Sequence, residues 1–302
     1  MAFAQGTRSQ LTYVVESTFG TTPGSPSMLT LPFVSHSLDL TKERLQSEEI
    51  LSDRIPRIDR HGNRSAVGDI VVELHDTDYD DLIESAMFSS FDTSGVMKVG
   101  TTPKYMTIED GALDVSEYRQ FTGCAVDQMS ISIAPNQMVN TTFSMIGKDM
   151  TQAATSLDAS PTAAAGGQPF DSYSGSLSEG GSAANIVTAL DFTVTNSLSP
   201  TFVVGSASTP QLEYGRCNIE GTVSVYYEDE VLINKFLNET ASTLSVTVDD
   251  PTTGSGMTFL FPEVKYNGAS VPVSNPQSRI ITMPFVAIYD ATEATNLKIT
   301  KT

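Results

Sequence analysis

The side chains able to do chemistry are few, and most lie in the first half of the chain. His36, His61 and His75 are the only imidazoles in 302 residues, so a nucleophile–base–acid relay has few possible members. Asp76, Asp78, Asp80 and Asp81 follow His75, a spacing that could offer one nitrogen and several carboxylates to a divalent metal. The same carboxylates suit the start of a helix, with Asp76 or Asp78 as the cap and the others in the first turn. That is the simpler account, and it serves Glu228-Asp229-Glu230 equally well. His61 sits among arginines, as a surface residue would. Gly147-Lys148 lacks the upstream glycine of a phosphate loop, and no dinucleotide fingerprint follows a strand. Cys124 and Cys217 are expected as free, buried thiols rather than a disulfide. No tryptophan and no aromatic–basic alternation is present to stack single-stranded bases. The expectation is a protein with no catalytic residue, no metal site and no cofactor.

Composition narrows the partners. Apolar residues make up 39% and charged residues 18% of the chain, with a formal charge of −19. Up to Met150 there are 11 basic and 21 acidic residues, and afterwards 6 and 15, so both halves are acidic. Such a field repels nucleic-acid phosphate and argues against sequence-reading or tight DNA binding. It is compatible with a surface that DNA slides past. Residues 1–12 hold one arginine and no apolar core, so no signal peptide is expected. No apolar run approaches the ~18 residues of a membrane span, and a chain made in a cytoplasm is expected.

The elements read mostly as strands. Leu11-Thr12-Tyr13-Val14-Val15 is strand-like, and Phe19 with the Gly and Pro punctuation of 20–26 reads as an extended arm rather than a packed element. A strand over 37–42 buries Leu38 and Leu40. Six of the 17 basic residues then fall between Lys42 and Arg64, interleaved with Glu43, Glu48, Glu49, Asp53 and Asp59. A charged segment of that length reads as a loop, over 43–67, either solvated or ordered by a partner. A strand over 69–74 turns Ile70, Val72 and Leu74 inward. A helix over 75–90 carries a stripe of Leu82, Ile83, Ala86 and Met87. Strands follow at 121–133 and 140–145. Residues 151–168 have almost no bulky apolar side chain and read as a linker. Beyond it come a strand-like 170–177, a turn at Gly180-Gly181, a strand over 186–195 and a mostly uncharged loop over 196–218. A helix after Asp229 with Leu232, Ile233, Phe236 and Leu237 on one stripe and several strands ending near 289 complete the chain.

This order repeats. Ser37-Leu38-Asp39-Leu40-Thr41 answers to Ala189-Leu190-Asp191-Phe192-Thr193. Gly68-Asp69-Ile70-Val71-Val72-Glu73-Leu74 answers to Gly221-Thr222-Val223-Ser224-Val225-Tyr226-Tyr227, and Asp80-Asp81-Leu82-Ile83 to Glu230-Val231-Leu232-Ile233. Residues 104–110 resemble 244–250, and 139–150 resemble 279–290. The expected division is an arm and strand (1–34), a first unit (35–150), a linker (151–168) and a second unit (169–302). Two like β modules in one chain suit a ring, where like surfaces meet repeatedly about an axis.

Several phrases carry a resemblance. They are Leu40-Thr41-Lys42-Glu43, Ser47-Glu48-Glu49-Ile50, Arg60-His61-Gly62-Asn63, Phe121-Thr122-Gly123-Cys124 and Ser130-Ile131-Ser132-Ile133-Ala134-Pro135-Asn136. Ser174-Gly175-Ser176-Leu177 and Tyr289-Asp290-Ala291-Thr292 extend them over nearly the whole chain. In this order they resemble the major tail tube proteins of long, non-contractile-tailed bacteriophages. The resemblance implies an all-β fold with minor helix: two tandem β-sandwich or half-barrel modules, each flanked by one helix. It also implies stacked rings whose inner sheets join around a DNA channel, six modules and hence three of these chains per ring. Implied partners are further copies of the chain, the tape measure, tail terminator and distal tail proteins, and double-stranded DNA that passes without specific binding. The implied location is the virion tail, assembled in the host cytoplasm.

Within that architecture the short neutral faces Gln128, Ser130, Ser132 and Asn140, Thr142, Ser144 are candidates to line the channel. Asp191 with Thr193, and Glu220 with Thr222, add carboxylates to the same theme. Each is equally the wet face of a sandwich sheet. Near physiological salt, carboxylate repulsion of phosphate reaches roughly 8 Å, so it acts at the wall. Arg54, Arg57, Arg60 and Arg64, with Glu48, Glu49 and Asp53, are candidates for contact with the adjacent ring, where carboxylates such as those near 76–84 would meet the arginines. The arm and the residues after Ala291 are secondary interface candidates. A virion surface decoration or host-binding β-protein is the alternative. It would show exposed aromatic clusters, where the loops here are rich in Ser, Gly and Thr.

Overall fold

The computed structural model describes residues 3–50, 52–53, 55–183, 187–250, 252–273 and 276–302. Strands of four residues or more are numbered here in chain order. The first series is β1 (Ser9–Glu16), β2 (Asp39–Gln46), β3 (Asp59–Glu73), helix α1 (Asp80–Met87), β4 (Tyr105–Ala112), β5 (Glu117–Ile133), β6 (Asn140–Gly147) and β7 (Asp149–Ala153). The second is β8 (Ser176–Glu179), β9 (Val187–Thr195), β10 (Asn218–Tyr226), helix α2 (Val231–Leu237), β11 (Ser242–Asp249), β12 (Gly256–Tyr266), β13 (Ile280–Ala287) and β14 (Lys298–Lys301).

Antiparallel pairing in the first series runs β2–β3–β6–β5–β4–β1, with β7 beside the opening residues of β5. In the second it runs β9–β10–β13–β12–β11–β8, with β14 beside β12. Every neighbour recurs seven strands later. β5 serves two sheets: its first half lies between β4 and β7, and its second half between β6 and β9. That last pairing, Leu190 opposite Ile133 through Thr195 opposite Gln128, joins the two series into one sheet. The protein is thus all-β with two short helices.

Alternation decides what is buried. β6 switches strictly between half-buried and buried, and Thr141, Phe143 and Met145 go inward. Because the sheet is continuous, a single apolar cluster spans both series. It includes Phe192 against Phe259 and Phe261, with ring centroids 5.3 and 5.0 Å apart. Truncating such a ring to alanine removes about 3–5 kcal/mol. Two glycines are required by close approach. A Cβ at Gly68 (φ +151) would lie 2.5 Å from the Ser37 carbonyl, and one at Gly221 2.5 Å from the Phe285 ring.

Several elements differ from expectation. Residues 43–46 and 59–67, read as loop, belong to the hairpin arms β2 and β3, leaving 47–58 as the connection. The hairpin stands off the body, so both its faces are wet from Thr41 to Gln46 and from Ile55 to His61, and no period-two apolar signal marks it. Helix α1 is shorter than 75–90 and receives no side-chain cap. Asp78 instead accepts the amides of Ala165 and Gly166 at 2.8 and 3.0 Å. Its stripe of Leu82, Ile83, Ala86 and Met87 is fully buried. On α2, Leu232, Ile233 and Phe236 pack on the core, whereas Leu237 is exposed because the helix ends there. At α2 the N-cap residue Glu230 likewise gives no side-chain cap and the first turn holds no acidic residue; of that run only Asp229, just ahead of the cap, accepts a helix amide, that of Val231 at 2.9 Å. Residues 151–168 are tacked down rather than loose: Thr151 to Ala153 continue β7, Leu157 donates to Glu109, and the Thr162 amide donates to Met28. The arm is extended but packed, with Phe19 against Tyr105 at 4.8 Å and Met28 and Leu31 buried.

Candidate functional site

The register of the joined sheet lays short polar side chains in transverse rows. One row runs Glu73, Asn140, Ser132, Asp191, Thr222, Pro284. The next runs Val71, Thr142, Ser130, Thr193, Glu220, Val286, and the third Asp69, Ser144, Gln128, Thr195, Asn218. Directly opposed residues of antiparallel strands share a face, so all ten candidate channel residues stand on one side of one sheet. All except Ser144 border a single concavity of about 740 Å³, together with Asn218, Asn267 and Pro284. Across the β5–β9 seam the hydroxyls of Ser130 and Thr193 lie 2.9 Å apart, and Ser132 donates to Asp191 at 2.5 Å.

Asp69 and Glu73 share this face through their pairing with Ser144 and Asn140, and Asp39 joins it opposite Val67. Inspection of single strands missed these three, since only the cross-strand register groups them; the alternation of Asp69 and Glu73 with Ile70 and Val72, and of Asp39 with Leu38 and Leu40, was the available signal. Lys265, opposite Val286, is the basic residue the same register brings here. Five carboxylates, of which Asp39 also lies 3.7 Å from the Arg119 guanidinium, against that lysine make an acidic, hydroxyl-rich wall. Such a wall offers hydrogen bonds to water and weak repulsion to an anion.

The chemistry-bearing side chains elsewhere have structural duties. His75 is buried, its Nδ1 3.1 Å from the Thr77 hydroxyl and its Nε2 3.5 Å from Asp78. Burial holds its pKa below the ordinary imidazole value, against the pull of Asp78 and Asp76. Asp81 receives Lys104 at 2.7 Å and the Tyr13 hydroxyl at 3.0 Å, Glu84 also receives Lys104, and Asp80 pairs with Lys301 at 2.5 Å. Cys124 and Cys217 are free thiols, both pushed up by burial, Cys217 to about 11, so neither is poised as a nucleophile.

The hairpin residues sit apart from this wall. Arg57 pairs with Asp53 inside the connection, and Arg44 with Asp59 at 3.0 Å across the arms. Arg64 is engaged by its own chain, reaching Asp149 at 2.6 Å. Arg60, Glu48 and Glu49 are exposed, while Arg54 lies outside the described residues. The carboxylates near 76–84 are largely occupied at home, as just described, which removes much of their charge as a partner for the arginines. Ile50, Ile55 and Ile58 are exposed on the connection, Ile50 almost completely.

No helix of the described residues is long and apolar enough to cross a membrane. A search of curated proteins finds no match to the chain. The family described as phage tail tube protein matches residues 6–287, nearly the full length. That breadth takes in both strand series but for β14, the seam between them and the acidic wall, so the chain belongs to the phage tail tube protein family.

Proposed function

We propose that the chain is a tandem of two tail tube modules, three chains closing a pseudo-sixfold ring whose acidic inner wall lets double-stranded DNA pass. The observation that carries this reading is that the β5–β9 seam can be repeated between chains. In that seam the even-numbered residues of β9 turn their backbone toward β5, as the Asn196 amide does in donating to the Asp127 carbonyl at 2.8 Å. The strand matching β9 is β2, whose outer edge has no partner among the described residues. Its inner edge is marked by the Ser37 amide, which donates to Asp69 at 2.9 Å. Alternation then turns Leu38, Leu40 and Lys42 outward, and the Leu40 amide finds only its neighbour's carboxylate, Asp39, at 2.8 Å.

The complementary edge follows β12. Ser270 exchanges both backbone hydrogen bonds with Thr282, at 3.0 and 2.9 Å, so Ala269, Val271 and Val273 face outward. Pro272, with no amide to give, sits where its missing donor would point toward β13 and not toward a neighbour. Carrying the seam register across sets Leu38 opposite Val273, Leu40 opposite Val271 and Thr41 opposite Ser270. That last pair repeats the hydroxyl contact of Thr193 with Ser130. On this edge the Val271 carbonyl accepts the Arg279 guanidinium at 2.9 Å, a bond that the Leu40 amide would share or displace. Ring closure would cover both edges, each otherwise open to aggregation.

Thr41 and Ser270 would face each other as a non-hydrogen-bonded pair with Cα atoms about 4.5 Å apart, close enough for a disulfide. Oxidised Thr41→Cys/Ser270→Cys protein, run under denaturing conditions without reductant, is expected to give covalent species ending at three chains. A ladder continuing past three, or no cross-link in assembled tubes, overturns the ring.

The hairpin tip, with Arg57, Arg60 and its exposed isoleucines, is the proposed contact with the next ring. Exposed ion pairs contribute ~0–1 kcal/mol each, so apolar burial of Ile50 and Ile55 is needed beside repetition around the ring. Reversing Arg57 and Arg60 to glutamate together is expected to leave a folded subunit that does not polymerise. Tubes of normal length from that double variant, seen by negative-stain microscopy, would remove the hairpin from the stacking contact.

A further inference from the structure

Beside α1, one phenylalanine closes the end of the first series. Phe170 is completely buried; its amide donates to the Leu74 carbonyl at 2.7 Å, and its carbonyl accepts the Val139 amide at 2.8 Å. Leu74 in turn donates to Val139 at 2.9 Å. The second series reproduces that last bond between the matching residues, with the Tyr227 amide donating to the Arg279 carbonyl at 2.9 Å. Among the described residues, nothing takes the place of Phe170: no backbone group meets the Tyr227 carbonyl or the Arg279 amide.

The space beside them is an open groove of about 390 Å³, lined by Val223, Val225, Tyr227, Leu232 and Ile281. In the first series the residues matching Val223, Val225, Tyr227 and Leu232 are Ile70, Val72, Leu74 and Leu82, all at 0% exposure. In the second, Val223 and Val225 stay buried at 3%, while Tyr227 is 37% exposed and no residue of α2 is buried, so the opening lies at Tyr227 and the helix. Among the described residues, the backbone slot that Phe170 occupies in the first series is therefore empty in the second.

The origin of Phe170 indicates the occupant. It lies six residues ahead of Ser176, the first residue of β8, so the segment leading into the second series seals the series before it. The strand matching β8 is β1, which begins at Ser9. By register Ser176, opposite Thr247, is level with Gln10, opposite Gly111, and Phe3 stands seven residues ahead of it, 83% exposed, with the 3-10 turn Gly6–Arg8 between them to take up the extra residue. In a closed ring, the series before β1 is the second series of the neighbouring chain.

We propose that Phe3 of one chain seats in the α2 groove of its ring neighbour, with the backbone around it bonding to the Tyr227 carbonyl and the Arg279 amide. This inference rests on the ring reading, and deepens it by adding a second lateral contact beyond the strand seam.

A photoreactive benzoylphenylalanine at position 3 tests it, introduced into the Thr41→Cys/Ser270→Cys chain so that ring closure is read separately. The expected result is covalent trimer on oxidation and, on irradiation of tubes, cross-linked peptides joining position 3 to residues 223–232 of another chain. Trimer formation with photoproducts in the same chain, in an adjacent ring or at another surface overturns the Phe3 contact and leaves the ring intact. Absence of the trimer removes both. As a second measurement, Phe3→Ala is expected to raise the concentration needed for assembly roughly ten- to a hundredfold, the range for burying one large apolar side chain. An unchanged threshold counts against the contact.

Discussion

Replacing Leu40 by proline is expected to abolish tube formation while leaving a folded, soluble subunit. The Leu40 amide points away from β3 and toward the free edge of β2, where its partner is the Asp39 carboxylate. Removing it therefore breaks no ladder within the subunit, and proline is tolerated on such an edge. The intrinsic cost is the trimmed side chain, about 1 kcal/mol for the half-buried leucine. In the proposed ring the same change would remove a donor at the centre of the inter-chain seam and place a pyrrolidine ring against the incoming strand. Thr41→Pro is the matched control. By alternation its amide turns toward β3, so its loss leaves a partner unsatisfied inside the subunit and costs a further ~1–3 kcal/mol. Thermal melts and light scattering after size exclusion separate the two effects. Leu40→Pro should melt near the parent and elute as a monomer, and Thr41→Pro should melt clearly lower. Regular tubes from Leu40→Pro would show that β2 is not the lateral edge.

The strands and helices that lie on the core were legible because burial imposes a period. Asn140 to Met145 alternates, and Leu82, Ile83, Ala86 and Met87 recur at helical spacing, and both patterns meet buried partners. The hairpin arms were not legible, since a ribbon with two wet faces carries no apolar period. Its charges are consequently the same in a strand as in a loop. The role of Asp78 was hidden for a different reason. Its position suggested a cap for the adjacent helix, but the amides it accepts belong to residues 87 and 88 positions away. Phe170 is similar: a lone aromatic in glycine- and serine-rich text reads as the edge of a linker, and only the slot between Leu74 and Val139 gives it meaning. The polar wall was legible strand by strand, and its extent was not. Asp69 and Glu73 join Ser144 and Asn140 through register, which a strand's own sequence does not encode.

Reversing the charge of that wall is the change expected to act most strongly on DNA passage. Asp69, Asp191 and Glu220 are exposed on the concave face, so lysine at all three should fold and assemble. The principal local loss is the bond from Ser132 to Asp191, worth ~0.5–1.5 kcal/mol. Each substitution moves the wall by two charges in every chain, and in the proposed stack of rings this would become a continuous cationic lining. The parent wall repels phosphate weakly within roughly a Debye length of 8 Å. The lysine wall instead releases counterions from DNA, and its affinity should fall with salt at a slope of about −0.9 for each phosphate contacted. Tubes of normal appearance carrying the three lysines are therefore expected to retain DNA at 50 mM salt and release it progressively toward 200 mM. In virions, ejection should stall at low salt, with infectivity reduced by orders of magnitude. The neutral set Asp69→Asn, Asp191→Asn and Glu220→Gln separates repulsion from slippage. If repulsion is what keeps DNA off the wall, ejection slows partway toward the lysine variant; if short polar side chains suffice, it stays at the parent rate. Unimpeded ejection through well-formed lysine tubes at low salt would mean that these three side chains do not face the channel, whichever way the rings are built.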